Sequence, residues 1–280
     1  MKVLCIIVLY NQGLYDSLSY KTGISKFLNN NDVSLYIYDN SQIPQHIEHD
    51  FDRFEGRIIY NSDISNPGVS YAYNKGYEYA KANGFQWISL WDQDTIIDGE
   101  SYLNSFCKAL SSNPQVKLFV PLVKTKKGMI ISPVREIFRI PICSYSRPLT
   151  EGLNALSKVG IINSGMLVEV KAFGEVNGYN EKVFLDFSDH QFIEKLGEKY
   201  KFFFLLNTIC IQDFSDEEND VCKLSVRYSL FCKSLRNYEV KNYWGRINIL
   251  LVVLKRAVSL SFRTKRLLYF KIFLNEFVGI

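Results

Sequence analysis

Two aspartates separated by one residue follow directly after an apolar segment, and their types and spacing suit them to metal binding. The residues ISLW at 88–91 are followed by Asp92, Gln93 and Asp94. Carboxylates at positions i and i+2 beyond a strand end can reach one hard cation. Mg²⁺ or Mn²⁺ bound by one or two carboxylates usually completes its shell with substrate phosphate oxygens. A solvated acidic turn gives the same triplet, so its position after a strand is what predicts a site.

A second group of acids lies in the segment FLDFSDHQF at 184–192. Asp186 and Asp189 stand among phenylalanine and leucine residues, and burial would raise the pKa of either carboxyl group. A carboxylate that faces a cleft from the start of a helix can act as a general base. Asp186 or Ser188 is expected to cap this helix. His190 is assigned either to the substrate or to the surface.

A third group, Asn66-Pro67-Gly68 followed by Tyr73-Asn74-Lys75-Gly76, reads as a loop that leads into a helix. Gly68 permits a close approach of the backbone, and the start of the helix can face an anion. An ordinary loop-to-helix junction explains these residues equally well. His46 and His49 form an HxxH pair with no third ligand at a suitable spacing, so a zinc site is not expected.

The elements that must position these residues alternate between strands and helices over the first hundred residues. Apolar, β-branched segments predict strands at 3–10, 33–38, 57–60 and 86–91, and apolar spacing predicts helices at 14–28 and 69–83. This alternation predicts a parallel sheet, which binds ligands at the carboxyl ends of its strands. Polar clusters occur at three of those ends: Tyr10-Asn11, Asp39-Asn40-Ser41 and Asp92-Gln93-Asp94.

The rest of the chain is less regular. We expect a helix at 101–110, a strand at 118–123, a loop with short strands over 124–150, and a strand pair over 159–170 around Asn163-Ser164-Gly165. A helix over 188–198, a strand over 202–210 and an acidic loop over 215–220 follow. From residue 221 the pattern predicts two or three amphipathic helices. The expected domains are therefore 1–220 and a helical region, 221–280.

Composition excludes several classes of protein. The 280 residues are 47% apolar and 22% charged, which is typical of a globular protein and excludes disorder. The net charge is +4, but residues 241–280 hold eight Lys or Arg against one acid, so an anionic membrane or nucleic acid is a candidate partner. Six cysteines without a CxxC pair, and no secretory signal, favour reduced thiols in the cytoplasm. The apolar stretch 249–254 is too short to span a bilayer.

The order of these motifs resembles that of a known enzyme family, the family 2 glycosyltransferases of the GT-A fold. The DQD form of the acidic triplet, with the later NSG and FxDxxD, resembles a bacterial rhamnosyltransferase branch. The resemblance covers roughly residues 3–215 and implies an α/β fold with a mostly parallel central sheet flanked by helices. The basic amphipathic helical appendage expected from the sequence pattern follows it. The motifs are VLYN at 8–11, YDNS at 38–41, NPGVSYAYNKGYEYA at 66–80, WISLWDQDT at 87–95, INSGMLV at 162–168 and FLDFSDHQF at 184–192.

The resemblance also implies a role for each matching residue. Asp189 matches the general base, Asp94 a ligand of Mg²⁺ or Mn²⁺, and Asp92 a contact to the ribose or the metal. The implied nucleotide-sugar contacts are Tyr10, Asn11, Asp39, Gly68, Asn74, Asp92 and Gln93. The implied acceptor or sugar pocket consists of Asn163, Ser164, Gly165, Asp186 and His190. The chain departs from the family at Ser188, Gln191 and Gln212, where relatives often carry Glu, an acid and His.

The implied function is an inverting, metal-dependent glycosyl transfer in the synthesis of a bacterial surface polysaccharide such as O-antigen or capsule. The donor expected from the branch is dTDP-rhamnose, with a UDP-sugar as the alternative, and the acceptor is a glycan or lipid-linked saccharide. The basic tail would place the protein at the inner face of the cytoplasmic membrane, or would bind a protein partner or a second copy. A catalytically silent carbohydrate-binding or scaffold protein is the alternative of another class. No motif supports a nucleic-acid partner. A sugar nucleotidyltransferase is disfavoured because it would need a basic, Gly-rich loop after the first strand, and residues 11–15 contain no basic residue.

Overall fold

The computed structural model describes residues 1–45, 54, 56–137, 140–141, 149–212 and 220–279. Three features of the sequence lie outside these residues: the HxxH pair, Cys143, and the run 213–219, which holds most of the acidic loop.

The described residues form a mixed α/β structure. Its strands are β1 (Val3–Leu9), β2 (Val33–Asp39), β3 (Ile58–Ser62), β4 (Trp87–Asp92), β5 (Thr95–Ile97), β6 (Leu118–Thr125), β7 (Ile130–Ser132), β8 (Val134–Ile137), β9 (Ile140–Pro141), β10 (Gly152–Ala155), β11 (Val159–Gly160), β12 (Met166–Glu169) and β13 (Phe202–Gln212). Its helices are α1 (Ser25–Phe27), α2 (Val69–Ala82), α3 (Gly99–Ser112), α4 (Val170–Glu175), α5 (Ser188–Lys199), α6 (Val221–Arg236), α7 (Tyr243–Thr264) and α8 (Leu268–Ile272), with a 3₁₀ turn at Leu14–Asp16 and π-helical turns at Tyr20–Ile24 and Phe273–Val278.

The central sheet has the strand order β10-β13-β6-β12-β4-β1-β2-β3, with β5 on β13 and β7 on β6. Strands β4, β1, β2 and β3 are parallel, as the alternation of strands and helices predicts. All seven residues of β1 are buried because they alternate between two apolar cores, one on each face of the sheet. Helix α3 packs on one face and α2 on the other, which explains why β1 reads as a continuous apolar run.

The register of the parallel strands brings the predicted polar clusters to one edge. Val8 of β1 lies opposite Asp92, and Leu9 lies opposite Asp39. The carboxyl ends of β1, β2 and β4 therefore coincide, as expected.

The segment 159–170 forms two strands that belong to different sheets, whereas the sequence predicted a strand pair. Strand β11 pairs with β8 in a small separate sheet. Strand β12 runs antiparallel between β4 and β6. Gly165, at φ +78°, turns the chain into β12, where its amide donates to the Leu90 carbonyl (2.9 Å). The buried residues of β12 then bridge the two parallel parts of the sheet.

The segment 14–28, predicted to be one helix, is irregular. It contains the 3₁₀ turn, the first π-helical turn and the short α1. The Thr22 hydroxyl donates to the Leu18 carbonyl (2.8 Å) and accepts from the Ile97 amide (3.1 Å). This side-chain bonding competes with regular helix geometry and ties the segment to β5.

The C-terminal helices α6, α7 and α8 share an apolar core of their own, which includes Val183 from the segment before α5. The prediction of two or three amphipathic helices after residue 221 is confirmed. Among the described residues, none of the helices combines the length and apolar character that crossing a membrane requires.

We predict that Gly68→Ala lowers the free energy of unfolding more than Gly84→Ala does. Gly68 precedes α2 at φ +94° and ψ 174°, and a Cβ there would lie 2.5 Å from the Phe184 carbonyl oxygen. We expect a loss of about 2–4 kcal/mol in urea unfolding, from backbone strain and overpacking. Gly84, at φ +71°, has nothing within 4 Å of a Cβ, so alanine there should cost only ~1 kcal/mol. Equal losses would contradict the importance of the Phe184 contact.

Candidate active site

The ends of β1, β2 and β4 are joined by hydrogen bonds between residues of the predicted polar clusters. The Tyr10 amide donates to Gln93 Oε1 (2.8 Å), and Gln93 Nε2 donates to the Tyr10 carbonyl (3.3 Å). The Asn11 amide donates to Ser41 Oγ (2.8 Å). The structure therefore brings Tyr10, Asn11 and Gln93 together, and Gln93 fixes the strand ends. The Tyr10 ring is exposed at this edge.

Asp39 is fully buried, and three protein groups donate to its carboxylate. They are the Ser41 amide (2.9 Å), Gln45 Nε2 (3.0 Å) and the Tyr60 hydroxyl (2.7 Å). Burial, together with the hydrogen bond to Asp39, raises the pKa of Tyr60 to about 12, so this hydroxyl remains a donor. Asp39 thus organises the loop 40–45 at the mouth of the site.

The turn Asp92-Gln93-Asp94 is hydrogen-bonded to the irregular segment that follows β1. Ser17 Oγ and the Leu18 amide donate to the Gln93 carbonyl (2.8 and 3.0 Å). Ser19 Oγ donates to the Asp92 carbonyl and accepts from the Thr95 amide. Both serines are fully buried. The turn is therefore a fixed part of the structure, unlike a solvated acidic loop.

The side chain of Asp92 connects four elements. Ser164 Oγ donates to Asp92 Oδ2 (2.6 Å), and Gln212 Nε2, at the end of β13, donates to the same oxygen (3.2 Å). The Tyr73 hydroxyl, from α2, lies 3.3 Å from Asp92 Oδ1. These three donors stabilise the negative charge and fix the carboxylate plane.

Gln212 lies against both carboxylates of the triplet, because its Nε2 also donates to Asp94 Oδ1 (3.3 Å). The hard oxygen ligands at this point, suited to Mg²⁺ or Mn²⁺, are the two carboxylates, since the Gln212 amide oxygen accepts from Ser164 Oγ (3.0 Å). Among the described residues no group of three or more His, Cys, Asp or Glu forms a closed metal site. Mg²⁺ typically uses one or two carboxylates and substrate phosphates in place of an all-protein cage. The residues therefore fit a divalent cation that a diphosphate helps to hold.

A buried tyrosine pair connects the triplet with Asp189. The rings of Tyr73 and Tyr179 lie 5.4 Å apart, and Tyr179 stacks on Phe192 of α5 at 4.4 Å. Burial raises the pKa of both tyrosines well above the ordinary value, and the charges of Asp92 and Asp189 raise the pKa of each further. Both carboxylates therefore lie within electrostatic reach of the same two rings.

Helix α5 begins with a strained residue. Its N-cap is Phe187, at φ +67°, and no side chain caps the helix, so the predicted caps Asp186 and Ser188 are wrong. Packing of the Phe187 ring against His190 (4.8 Å) and Phe231 (5.7 Å) holds this unfavourable backbone in place. Asp189 lies in the first turn of this helix, where its Oδ1 accepts from the His190 amide (2.8 Å).

Asp186, on the other side of Phe187, turns toward α6. Its Oδ1 lies 3.9 Å from Arg227 Nη2, and its Oδ2 is buried without a hydrogen-bond partner among the described residues. Asp186 therefore contacts the C-terminal helices, and its role in a sugar pocket stays a prediction.

The remaining predicted site residues have structural contacts. Asn74 donates to the Tyr179 carbonyl (3.0 Å) and Glu181 Oε1 (2.9 Å) and accepts from the Tyr179 amide (2.9 Å), which docks α2 on the segment before α5. Asn163 Oδ1 accepts from the Tyr179 hydroxyl (2.5 Å). The close backbone approach at Gly68 is to Phe184, within the protein. Ligand contacts of these residues stay predictions.

Four residues that organise the site were not selected from the sequence: Ser17, Ser19, Tyr73 and Tyr179. The serines lie in a segment that was interpreted only by its apolar spacing. Tyr73 lies within a motif that was examined for its glycines and amide. Its position in α2, facing the end of β4, was the signal in the sequence that could have indicated a contact with Asp92.

Comparison with known proteins identifies the fold. No protein-family model and no curated protein matches the chain. The structure of S. aureus TarS 1–349 in complex with UDP-GlcNAc is 12% identical to this chain, covers 99% of it and 79% of that chain, and has a TM-score of 0.58. GalNAc-T7 with UDP, GalNAc and Mn²⁺ is also 12% identical, covers 96% of this chain and 56% of that one, and has a TM-score of 0.56.

A longer TarS structure is matched over only 44% of its length, with a TM-score of 0.57, so this chain spans less than half of it. These proteins are GT-A glycosyltransferases, and the expectation of a GT-A fold is confirmed. At 12% identity this similarity shows the fold alone.

We predict that Asp94→Asn weakens Mn²⁺ binding at least about tenfold, because an amide offers one neutral oxygen where the carboxylate offers two charged ones. Binding is measured by the loss of the free Mn²⁺ signal in electron paramagnetic resonance, with and without a nucleoside diphosphate. Asp98→Asn, four residues later and exposed, is the matched control and should bind as the unaltered protein does. Unchanged binding in Asp94→Asn would show that the triplet does not hold the cation.

Proposed function

We propose that the protein is a glycosyltransferase that moves a sugar from a nucleoside diphosphate donor to a hydroxyl group of a saccharide acceptor. The observation that carries this proposal is a chain of contacts from the triplet to α5: Tyr73 bonds to Asp92 and packs on Tyr179, which stacks on Phe192 of the helix whose first turn holds Asp189. Two carboxylates suit a cation beside a diphosphate, and a third, on a different element, suits proton removal from an acceptor. The GT-A fold supports the same reading.

The proposed reaction is a direct displacement with inversion. Asp189 accepts the proton of the acceptor hydroxyl, and the acceptor oxygen forms a bond to the anomeric carbon. The bond between that carbon and the diphosphate oxygen breaks, so the nucleoside diphosphate leaves with the electron pair. A divalent cation bound at Asp92 and Asp94 would supply positive charge against that leaving group. Ser164, Gln212 and Tyr73 hold Asp92 in one orientation.

The identity of the donor is a finer proposal. The DQD, NSG and FxDxxD motifs favour dTDP-rhamnose and a role in bacterial surface polysaccharide synthesis. A UDP-sugar is the second candidate, favoured by the UDP-GlcNAc bound in TarS and the UDP bound in GalNAc-T7. The two donors differ in the base, the 2′-hydroxyl and the sugar. The exposed Tyr10 ring and the loop organised by Asp39 lie where we propose that the nucleoside binds.

We further propose that the helical region 221–280 rests on an anionic membrane surface, where a lipid-linked acceptor would be found. Leu251, Val258 and Phe262 are exposed apolar side chains on one face of α7, at spacings of seven and four residues. Residues 241–280 carry a net charge of +7. An exposed apolar stripe on a basic helix is typical of interfacial membrane binding. Association with a second copy would use the same stripe.

We predict that Asp189→Asn lowers sugar transfer by about 10²–10⁴-fold, since the amide cannot accept the acceptor proton. Donor binding should stay within twofold of the unaltered protein's, because Asp189 does not hold the cation. Ligand-observed NMR with dTDP-rhamnose, UDP-glucose, UDP-galactose and UDP-GlcNAc, with and without Mg²⁺, identifies the donor for the transfer assay.

Two outcomes of these measurements would contradict the proposal. Full transfer activity in Asp189→Asn would show that another group is the base. Failure of the unaltered protein to bind any of the donors would favour the catalytically silent carbohydrate-binding or scaffold protein.

We predict that Phe262→Ser weakens binding to vesicles of mixed zwitterionic and anionic lipid by about ten- to a hundredfold, because a phenylalanine side chain no longer enters the interface. Phe262 is 81% exposed. Phe202→Ser, which alters a 48% exposed phenylalanine at the start of β13, is the matched control. Co-sedimentation at low and high salt measures the effect. Equal binding by both variants would contradict the membrane proposal.

A further inference from the structure

A groove of about 1110 Å³ runs along the outer side of α5, away from the acidic triplet. One wall is α5 itself, from His190 to Lys199, and the opposite wall is the α6–α7 connection with the start of α7, from Glu239 to Asn248. Residues 156–159, and the last residue of α4 with the two that follow it (175–177), also line the groove. The volume exceeds the roughly 300–1,000 Å³ of pockets for drug-sized ligands, so the groove has room for an oligomer.

The groove begins beside the proposed base. His190 lines it, and His190 is the residue after Asp189, whose carboxylate accepts from the His190 amide. The ring of His190 is fixed by stacking on the strained Phe187 at 4.8 Å. A chain lying in the groove would therefore present its end at the first turn of α5, where Asp189 lies.

The charges in the groove give a polyanion no net attraction. Four lysines and four glutamates line it, so their formal charges cancel. One pair, Lys241 Nζ and Glu198 Oε1, forms an ion pair at 2.7 Å between the α6–α7 connection and α5. The charged lining residues are Lys158, Lys195, Lys199, Lys241, Glu175, Glu194, Glu198 and Glu239.

The uncharged lining residues match the chemistry of a carbohydrate. Asn177, which is exposed, and the half-buried Asn248 line the groove with amide groups, which both donate and accept hydrogen bonds, as sugar hydroxyls do. Trp244 also lines it and is 72% exposed. An exposed indole offers a large rigid face on which the C–H face of a sugar ring can stack.

We infer that this groove binds a neutral oligosaccharide, the acceptor chain of the proposed transfer, with a sugar stacked on Trp244 and the reactive end at His190. This inference rests on the proposed function only in identifying the bound oligosaccharide as the acceptor. The recognition of a neutral oligosaccharide follows from the groove itself.

Fluorescence of Trp244 tests the inference directly. The other two tryptophans, Trp87 and Trp91, are 5% and 0% exposed, so quenching of emission by acrylamide reports Trp244. The full chain is titrated with neutral tetrasaccharides built of glucose, galactose, mannose, rhamnose or N-acetylglucosamine, with an oligouronate of equal length and with anionic vesicles. We expect at least one neutral tetrasaccharide to protect Trp244 from acrylamide.

Two variants distinguish binding in the groove from binding to the neighbouring surface. Trp244→Ala should weaken binding of the protecting tetrasaccharide at least about tenfold by calorimetry, as loss of a stacked aromatic anchor does. Tyr243→Ala removes a neighbouring ring that is 77% exposed and does not line the groove, and it should bind normally. In transfer assays Trp244→Ala should raise the acceptor KM and leave donor binding unchanged.

The outcomes distinguish this inference from the proposed function. Protection by no neutral tetrasaccharide, or only by the oligouronate or the vesicles, overturns the inference even if nucleotide sugars bind. Protection in a protein that binds no nucleotide sugar supports the carbohydrate groove and overturns the glycosyl transfer. Equal weakening by Tyr243→Ala and Trp244→Ala overturns the stacking role.

Discussion

The hydrogen bonds to the Asp92 carboxylate are the interaction on which the site depends. They reach Tyr73 on α2, Ser164 before β12 and Gln212 at the end of β13. Each of these donors comes from a different part of the chain, so the carboxylate fixes the relative positions of four elements. A half-buried polar group needs hydrogen-bond partners to offset the loss of water, and these three donors supply them.

The buried pair Tyr73 and Tyr179 adds no negative charge to a site that already contains several carboxylates. A site that collects carboxylates on one sheet edge accumulates negative charge, which opposes the approach of a diphosphate. Tyr73 and Tyr179 stay neutral because they are buried, and their hydroxyls bond to Asp92 and Asn163. The pair thus adds no charge to the site, and a cation at the triplet is the natural complement to the charge of its carboxylates.

The sequence predicted the regular part of the fold and the acidic residues of the site. Strands β1, β2 and β4 and helix α2 lie within about one residue of the predicted bounds, because continuous apolar runs and helical spacing have single interpretations there. Their parallel order also predicted that the polar clusters meet at the carboxyl ends of the strands. By contrast, β11 and β12 were interpreted as a pair, since periodicity does not specify which strand becomes a neighbour. The left-handed Phe187 was also missed, because only packing against α6 makes that conformation tolerable.

The same limit applies to Gln212. Its difference from the family pattern was visible, but its contact with Asp92 and Asp94 depends on β13 crossing to pair with β5 and β6. Such contacts arise from sheet topology, which a single sequence constrains only weakly. Residues that contact each other through the order of the strands were therefore the part of the site that could not be predicted.

The antiparallel insertion of β12, with β13 arriving after it, has a consequence for how the protein folds. The acidic triplet lies in the first third of the chain, whereas Ser164, Asp189 and Gln212 come much later. Contacts between such distant segments form slowly, because the loop between them must close first. During synthesis the chain therefore carries its carboxylates before it has the groups that orient them. Since a ligand of the completed site binds only the native state, about a hundredfold excess over its Kd would add ~2.7 kcal/mol to stability and would favour the last step of assembly.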